Sequence, residues 1–414
     1  MRLICSLFID SQDILAPTVT DSQVVELIVL LSQREIEFRY VNIVGVRYLM
    51  RNYTAIKARR KGLEARLKRN ILLVKTLKPG NRLGKMIARS VIGLFILAKY
   101  GLRAPVFIHA RGHAAVALAL PLKKVFKKMA ILFDIRGDLS SELHFNMEAH
   151  PEMYADRDLP RMVSRQAREE KLALTYSDEV ACVSNRLLET LLRRHGIVRT
   201  PHFHVFPSAA NGDSIFIDEN VRIGVRDRLG IQNKKVMLYS GGVGMWHETS
   251  RLLDAFAVLS SRISESYVLF LTPYTQQAQH EIDSRVNSIK NYLVKSVPHD
   301  EINDYLNAAD FGILLRRPDP LNAAACPTKF SEYMLAGLPV LISDGIGDCS
   351  GFVRAHSAGI VLRDLQSDEE LRKSIDSLLK SDFDRPKIRS EAMKVFSKQS
   401  YLDEYERMLK AYIS

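Results

Sequence analysis

The chain reads as an α/β protein built from two Rossmann-like domains, each a parallel sheet flanked by helices. Three observations predict this. Short apolar runs alternate with longer helix-like stretches along the whole sequence. They fall into two series, without internal repeat, on either side of the turn-rich Pro207-Ser-Ala-Ala-Asn-Gly-Asp213. A length of 414 residues also exceeds one ordinary core and suits two. The composition, 47% hydrophobic and 26% charged, is that of a globular chain and excludes a disordered one. Sheets of this type bind ligands beyond the C-terminal ends of their strands, which predicts a site in a cleft between facing domains.

In the first series the expected strands are Leu3–Ile9, Phe38–Ile43, Val106–His109, Ala130–Asp134, Glu179–Val183 and His204–Phe206. Helices are expected at Asp21–Arg34, Ala114–Lys127, Arg161–Thr175 and Asn185–His195. The basic region 47–103 reads as helical, interrupted near Pro79-Gly80. In the second series the strands are Lys235–Tyr239, Tyr267–Thr272, Tyr292–Lys295, Phe311–Leu315, Val340–Ile342 and Gly359–Leu362. Leu252, Phe256, Leu259 and Ile263 form one apolar helix stripe after a glycine-rich loop. The expected domains are 1–214 and 215–394, with 395–414 returning to the first as a closing helix.

The net charge of +12 is unevenly spread. From Arg47 to Arg103 there are sixteen Lys and Arg residues and one acidic residue, Glu64, interleaved with Leu, Ile, Val and Met. That mixture predicts an amphipathic surface on anionic lipid, with a solvated basic face as the bland alternative. Nucleic acid is not expected, because no zinc-finger spacing, RNP-like strand or helix-turn-helix cue accompanies the charge. The apolar run Val91–Leu97 is far short of the roughly 20 residues that span a bilayer. Met1–Asp10 reads as a strand rather than a signal peptide. Four scattered cysteines, Cys5, Cys182, Cys326 and Cys349, imply neither a zinc site nor a disulfide framework, so a reducing cytosol is the simplest home. Asp156-Arg-Asp158 and Asp382-Phe-Asp384 match a two-carboxylate metal motif only by its spacing. No metal or cofactor is expected.

The densest chemistry lies in Cys326-Pro-Thr-Lys-Phe-Ser-Glu-Tyr-Met-Leu-Ala-Gly-Leu-Pro339. Pro327 and Thr328 mark a helix start, with Thr328 as the capping candidate, and Gly337 and Pro339 mark its end. Phe330, Tyr333 and Met334 share the core face. Lys329 in the first turn opposes the helix dipole unless an anion such as phosphate binds there. Glu332, one turn further, is placed to accept from a sugar's hydroxyl pair. The segment therefore reads as a candidate nucleotide-sugar site, or as a surface helix with a weak Lys329–Glu332 pair.

Ser240-Gly-Gly-Val-Gly-Met-Trp-His-Glu248 lies between a strand and a helix. Gly241, Gly242 and Gly244 there would let backbone amides approach phosphate, unless they merely form a tight turn. Trp246 would wall the pocket and His247 donate to phosphate, with Arg316 and Lys329 adding positive charge. In the first half, His109-Ala-Arg-Gly-His113 and Asp134-Ile-Arg-Gly-Asp138 end successive strands. His109, Arg111, Asp134, Arg136 and Gly137 are the candidates there for acceptor and phosphate contacts. A structural salt bridge of Arg136 with Asp134 or Asp138 is the competing account.

The stretch Pro-Thr-Lys-Phe-x-Glu-Tyr-x-x-x-Gly-x-Pro-Val resembles the donor-site signature of the retaining glycosyltransferases of the GT-B fold, family 4 (group 1). Tyr176–Ser184, His204–Phe216, Asn307–Leu315 and Tyr401–Ile413 are similar to further elements of that family, so roughly the last three-quarters of the chain resembles it. The resemblance implies retaining, metal-independent transfer of a sugar from a nucleotide-diphospho-sugar to a saccharide or lipid-linked acceptor. It implies that Glu332 holds the ribose and that Arg136 stands where the family often has a histidine near the sugar. The residue eight before Glu332, usually a sugar-contacting glutamate, is Ala324 here. Together with the basic surface, the resemblance implies a cytoplasmic enzyme at the inner membrane face, in bacterial surface polysaccharide assembly. A GT-B epimerase and a non-catalytic nucleotide-sugar-binding homologue are the rivals.

Overall fold

The computed structural model describes residues 5–10, 14–15, 20–77, 81–149, 151–154, 158–198, 202–285 and 288–412. Two compact units emerge. One comprises 1–183, 188–206 and 401–414; the other comprises 184–187 and 207–400.

The first unit holds seven strands: β1 Cys5–Asp10, β2 Arg39–Gly45, β3 Leu72–Thr76, β4 Val106–Arg111, β5 Met129–Ile135, β6 Glu179–Cys182 and β7 Phe203–Val205. They pair in the order β3-β2-β1-β4-β5-β6-β7, every pair parallel. The second unit holds β8 Lys235–Ser240, β9 Ser266–Leu271, β10 Tyr292–Lys295, β11 Phe311–Leu314, β12 Val340–Ser343 and β13 Gly359–Leu362, ordered β10-β9-β8-β11-β12-β13 and again all parallel. Both sheets thus run outward from a central strand and then reverse. The reversal points, β1/β4 and β8/β11, are where such sheets open a crevice for ligands.

Parallel strands covered on both faces read as continuous apolar runs, and β4, β5, β11 and β12 are buried along their whole length. In the second unit the helix Thr249–Arg262 lays Leu252, Phe256 and Leu259, all at 0% exposure, against Phe270 and Ile282. Truncating Phe256 to Ala there costs about 3–5 kcal/mol. Ile263 is the residue that caps that helix and is not part of its buried stripe.

The basic region departs from the expected pair of helices. Helices Val46–Arg51, Tyr53–Leu67 and Arg82–Tyr100 enclose β3, an edge strand with Val74 and Thr76 buried and Lys75 exposed. Leu63, Leu67 and Ile71 at four-residue spacing continue a helical pattern across the turn, which hides the strand in the sequence. Lys68 breaks that pattern in the left-handed region at φ 51°. Pro79 and Gly80 lie outside the described residues, as do Met1–Ile4, Asp156 and Arg157. The helix Leu139–Ala149 was not foreseen either, its apolar stripe being thin. Of the second carboxylate motif, Asp384 caps the helix Arg385–Val395 by accepting from the Lys387 amide.

A candidate nucleotide-diphosphate site

Each unit gathers its own predicted residues at its own sheet reversal. In the second unit the loop after β8 carries Gly241 at φ 152° and Gly244 at φ 120°, conformations that L side chains rarely adopt. Arg316 follows β11, and the helix Thr328–Leu335 precedes β12. Tyr333, fully buried, ties these pieces together: its hydroxyl accepts from the Ser240 amide at 2.8 Å, and its ring packs under Gly312.

The Lys329 ammonium donates to the Tyr239 hydroxyl at 3.1 Å and lies 4.3 Å from the centre of that ring. It also sits directly against Gly241, where any Cβ would collide with it. His247 turns back over Gly242 in the same way. The Arg316 guanidinium stacks on Trp246 at 5.6 Å from the ring centre and donates to Asn322 Oδ1 at 3.1 Å. The Arg316 Nε is buried without a hydrogen-bond partner. Lys329, Arg316 and His247 therefore converge on one loop, and no described carboxylate forms an ion pair with Lys329 or Arg316. Burial is the first cause that pushes all three away from their charged forms; repulsion from Arg316 adds to it at Lys329, and repulsion from Lys329 and Arg316 adds to it at His247. Lys329 is held well below the ordinary lysine range, Arg316 is lowered to about 10, and His247 falls to about 3. An anion placed among them would reverse each shift.

Three expectations need correction here. The glycine amides are not all available: Gly241 donates to Leu271 O at 2.9 Å and Gly244 to Thr249 Oγ1 at 2.9 Å. The helix start is similar, since the Phe330 amide donates to Pro327 O at 2.9 Å. Pro327, not Thr328, occupies the capping position, and it offers no side-chain acceptor. The Phe330 ring is wholly buried edge-on against Phe352 and Phe396, on the core face that its spacing with Tyr333 and Met334 predicts.

Glu332 is 7% exposed and faces His299 Nδ1 at 3.9 Å. His299 was not foreseen, because it follows β10 by sequence with nothing to signal its approach. Ala324 is buried in the short helix Pro320–Ala324, and its carbonyl accepts from Ser184 Oγ at 2.9 Å. Cys326 and Cys349 are buried, unbridged neighbours, and burial first, then the adjacent Cys326, raise the pKa of the Cys349 thiol.

In the first unit the polar candidates also meet, but they largely satisfy one another. His109 is 3% exposed, stacks on Phe8 at 3.9 Å, and has Tyr405 Oη at 2.8 Å on Nδ1 and Asp134 Oδ2 at 3.1 Å on Nε2. Both ring nitrogens are taken, and burial lowers its affinity for a second proton. Through Tyr405, His109 ties the closing helix Gln399–Ala411 to β4. Its sequence neighbour His113 turns to Glu169 instead, at 3.6 Å. Burial would raise the Asp134 pKa, but Arg136, His109 and Arg111 together hold it well below the carboxylate range. Arg136 contacts Asp134 at 3.5 Å and donates to Phe206 O at 3.1 Å and Gln23 Oε1 at 2.7 Å, so the salt-bridge account of this residue is present in the fold. Arg111, 5% exposed, keeps a buried Nε without a partner. Asp138 is consumed by Arg194 and Ser141. The missing side chain of Gly137 makes room for the Glu142 carboxylate. Burial first, and Asp138 second, raise the pKa of Glu142. Glu142 sits in the helix Leu139–Ala149, which no strong apolar stripe announces in the sequence.

This geometry is matched by what the chain resembles. Residues 224–396 match the family of glycosyl transferases group 1. That stretch contains the whole cationic cluster from Gly241 to Glu332. Among solved structures, HepE of Anabaena in complex with UDP and glucose superposes with a TM-score of 0.68 at 14% identity, covering 99% of this chain and 100% of that one. A glycosyltransferase of Rickettsia africae gives 0.70 at 15% identity, with 100% of both chains covered. An α,α-trehalose 6-phosphate synthase of Burkholderia multivorans gives 0.62 at 12% identity, also over 100% of both. No curated protein sequence matches. At these identities the likeness is one of fold: two Rossmann-like domains of the GT-B glycosyltransferase architecture.

Proposed function

We propose that this protein transfers a sugar from a nucleotide-diphospho-sugar to an acceptor hydroxyl. The observation that carries the proposal is the convergence of Lys329, Arg316 and His247 on the Gly241–Gly244 loop without a paired carboxylate. Burying basic groups together without a counter-charge is destabilising and disfavours their protonated forms, and a bound diphosphate supplies the missing negative charge. Glu332, set into the same helix as Lys329, then takes the ribose hydroxyls. The bond from the sugar's anomeric carbon to the phosphate oxygen breaks as the acceptor oxygen bonds to that carbon, and the acceptor hydroxyl's proton passes to the leaving phosphate oxygen. The leaving diphosphate gathers the developing negative charge against Lys329 and Arg316.

The finer reading is retention of configuration, family 4 type, with these side chains supplying the charge that a metal supplies elsewhere. Arg136, Arg111, Asp134 and Gly137 are the acceptor-side groups of the first unit, with Glu142 added. The UDP and glucose in the HepE structure support a nucleotide-sugar donor. The basic first unit favours a lipid-linked saccharide acceptor at the inner membrane face, as in surface polysaccharide assembly. Ala324, a buried methyl where the family pattern has a carboxylate, favours one rival, a protein that binds the nucleotide sugar without transferring it.

The test is thermal stabilisation of purified protein and of Lys329→Met by UDP, GDP, ADP and TDP. Stabilisation of the wild type by one of them, lost in the variant, is the expected result. A folded wild type indifferent to all four sinks the proposal. Binding without any release of nucleoside diphosphate from the matching nucleotide sugar, with acceptor-bearing membranes present, turns it into the binding-protein reading.

A further inference from the structure

The helix Arg82–Tyr100 has two opposite apolar faces. Gly84, Ala88, Ile92 and Ile96, four apart, are buried beside β3 and the helix Gly112–Ala119. On the other side Leu83, Met86, Leu94 and Leu97 recur at three- to eight-residue steps and are 43–65% exposed. A soluble surface helix carries one apolar stripe and one polar face. Most of the exposed large apolar side chains of the described residues lie in this part of the chain, including Met50 at 74% and Tyr53 at 59%. Met50 and Tyr53 follow the C-terminal end of β2, and Arg82–Tyr100 follows that of β3. These two strands are hydrogen-bonded neighbours at the sheet's edge, so the exposed groups start from one corner.

The charge around this surface selects its occupant. Arg47, Arg51, Lys57, Lys61 and Arg82 are exposed there, and the helix Arg82–Tyr100 contains no acidic residue. Glu64, the single carboxylate of the region, is taken by Arg60 and the Ile71 amide. A second copy of this chain would bring like charge against like charge. Nucleic acid would leave the leucine stripe in water.

We infer that the outward face of Arg82–Tyr100 and the adjoining Met50–Tyr53 corner form a monotopic docking surface for anionic phospholipid. The helix, about 28 Å long at 1.5 Å per residue, lies in the plane of the headgroups. Its leucines enter the acyl boundary, and the lysines and arginines meet lipid phosphates. No described helix is long and apolar enough to cross a membrane, so the contact is peripheral. This surface is built without reference to the nucleotide site, and its failure leaves the glycosyl-transfer reading untouched.

The experiment is flotation of the full chain with vesicles of phosphatidylcholine alone and of phosphatidylcholine with phosphatidylglycerol, at low and high salt. The expected outcome is binding to the anionic vesicles only, weakened by salt. The double variant Leu94→Glu, Leu97→Glu should reduce the bound fraction by about tenfold or more, since two charges replace two inserted side chains. Both positions are exposed, and an unchanged melting temperature confirms that the variant folds. Equal flotation with neutral vesicles, or equal flotation of the double variant, overturns the inference. So does a wild-type dimer in solution that the double variant abolishes, which would assign the face to a second copy.

Discussion

Lys329 and Tyr239, ninety residues apart, meet twice over: ammonium to hydroxyl at 3.1 Å and ammonium to ring centre at 4.3 Å. The contact fastens the start of the helix Thr328–Leu335 to the strand that leads into the glycine loop. It gives the lysine a dipole and an aromatic face in place of a carboxylate, which keeps the ammonium available to a ligand anion.

Lys329→Met should stabilise the ligand-free protein and abolish nucleoside diphosphate binding. A base whose folded-state pKa is depressed destabilises the fold as pH falls below its unfolded value, because only the unfolded chain protonates freely. Methionine removes that cost. Calorimetry at pH 7 should show a melting temperature higher by about 2–4 °C, the shift that ~1 kcal/mol produces in a domain of 150–250 residues.

Diphosphate binding should take up protons. His247, lowered to about 3, and Lys329, lowered in the free site, both regain their charged forms beside an anion. Affinity therefore falls as pH rises. Titration calorimetry in two buffers of different ionisation enthalpy measures the uptake directly; equal heats in both would refute it.

Gly241→Ala is expected to damage binding more than folding. A Cβ at that position meets the Lys329 ammonium and demands a strained φ of 152°. The strain costs about 1–3 kcal/mol by itself. The displaced lysine should weaken diphosphate binding by a further factor that Gly244→Ala, with open space around its Cβ, does not share.

Glu332→Ala should cut affinity for a ribonucleoside diphosphate by roughly tenfold or more, the worth of a charge-assisted hydrogen bond. The loss should vanish for the 2′,3′-dideoxy analogue. An equal loss for both nucleotides would remove the ribose role.

His204 offers a pH signature in the first unit. It lies between Glu179 at 2.8 Å and Glu404 at 2.6 Å, and Glu404 belongs to the closing helix. Burial lowers its pKa, but the hydrogen bonds to the two carboxylates outweigh this and raise it. Its contribution is fully present below the unfolded histidine value near 6.5 and is lost as pH rises through the folded value. The melting temperature of the wild type should therefore fall relative to His204→Gln as pH is raised from that value.

Strand and helix placement was readable wherever the hydrophobic period was clean. Tyr292–Lys295 and Gly359–Leu362 coincide with β10 and β13, and Asn185–His195 is a helix over that same range. It was unreadable where a local pattern ran on through a turn, as at Leu67–Leu72, or where side chains gave no stripe, as at Leu139–Ala149. In the site, Lys329, Arg316, His247 and Glu332 were legible from their positions at strand and helix ends. Tyr239, Tyr333 and His299 were not, because each acts on a residue far away in the chain.

The sequence by itself determined the two parallel sheets, the glycine loop, the helix that carries Lys329 and Glu332, and the basic first unit. These follow from local periodicity, turn chemistry and charge, which a short window of residues contains. Only the tertiary structure decided that His109 is spent on Tyr405 and Asp134 and that the Gly241 and Gly244 amides are already bonded. The same holds for the burial of Lys329 and Arg316 without an ion-paired carboxylate among the described residues. Partner choice and desolvation belong to the surroundings of a side chain, and those surroundings are assembled from residues as far as 296 positions apart.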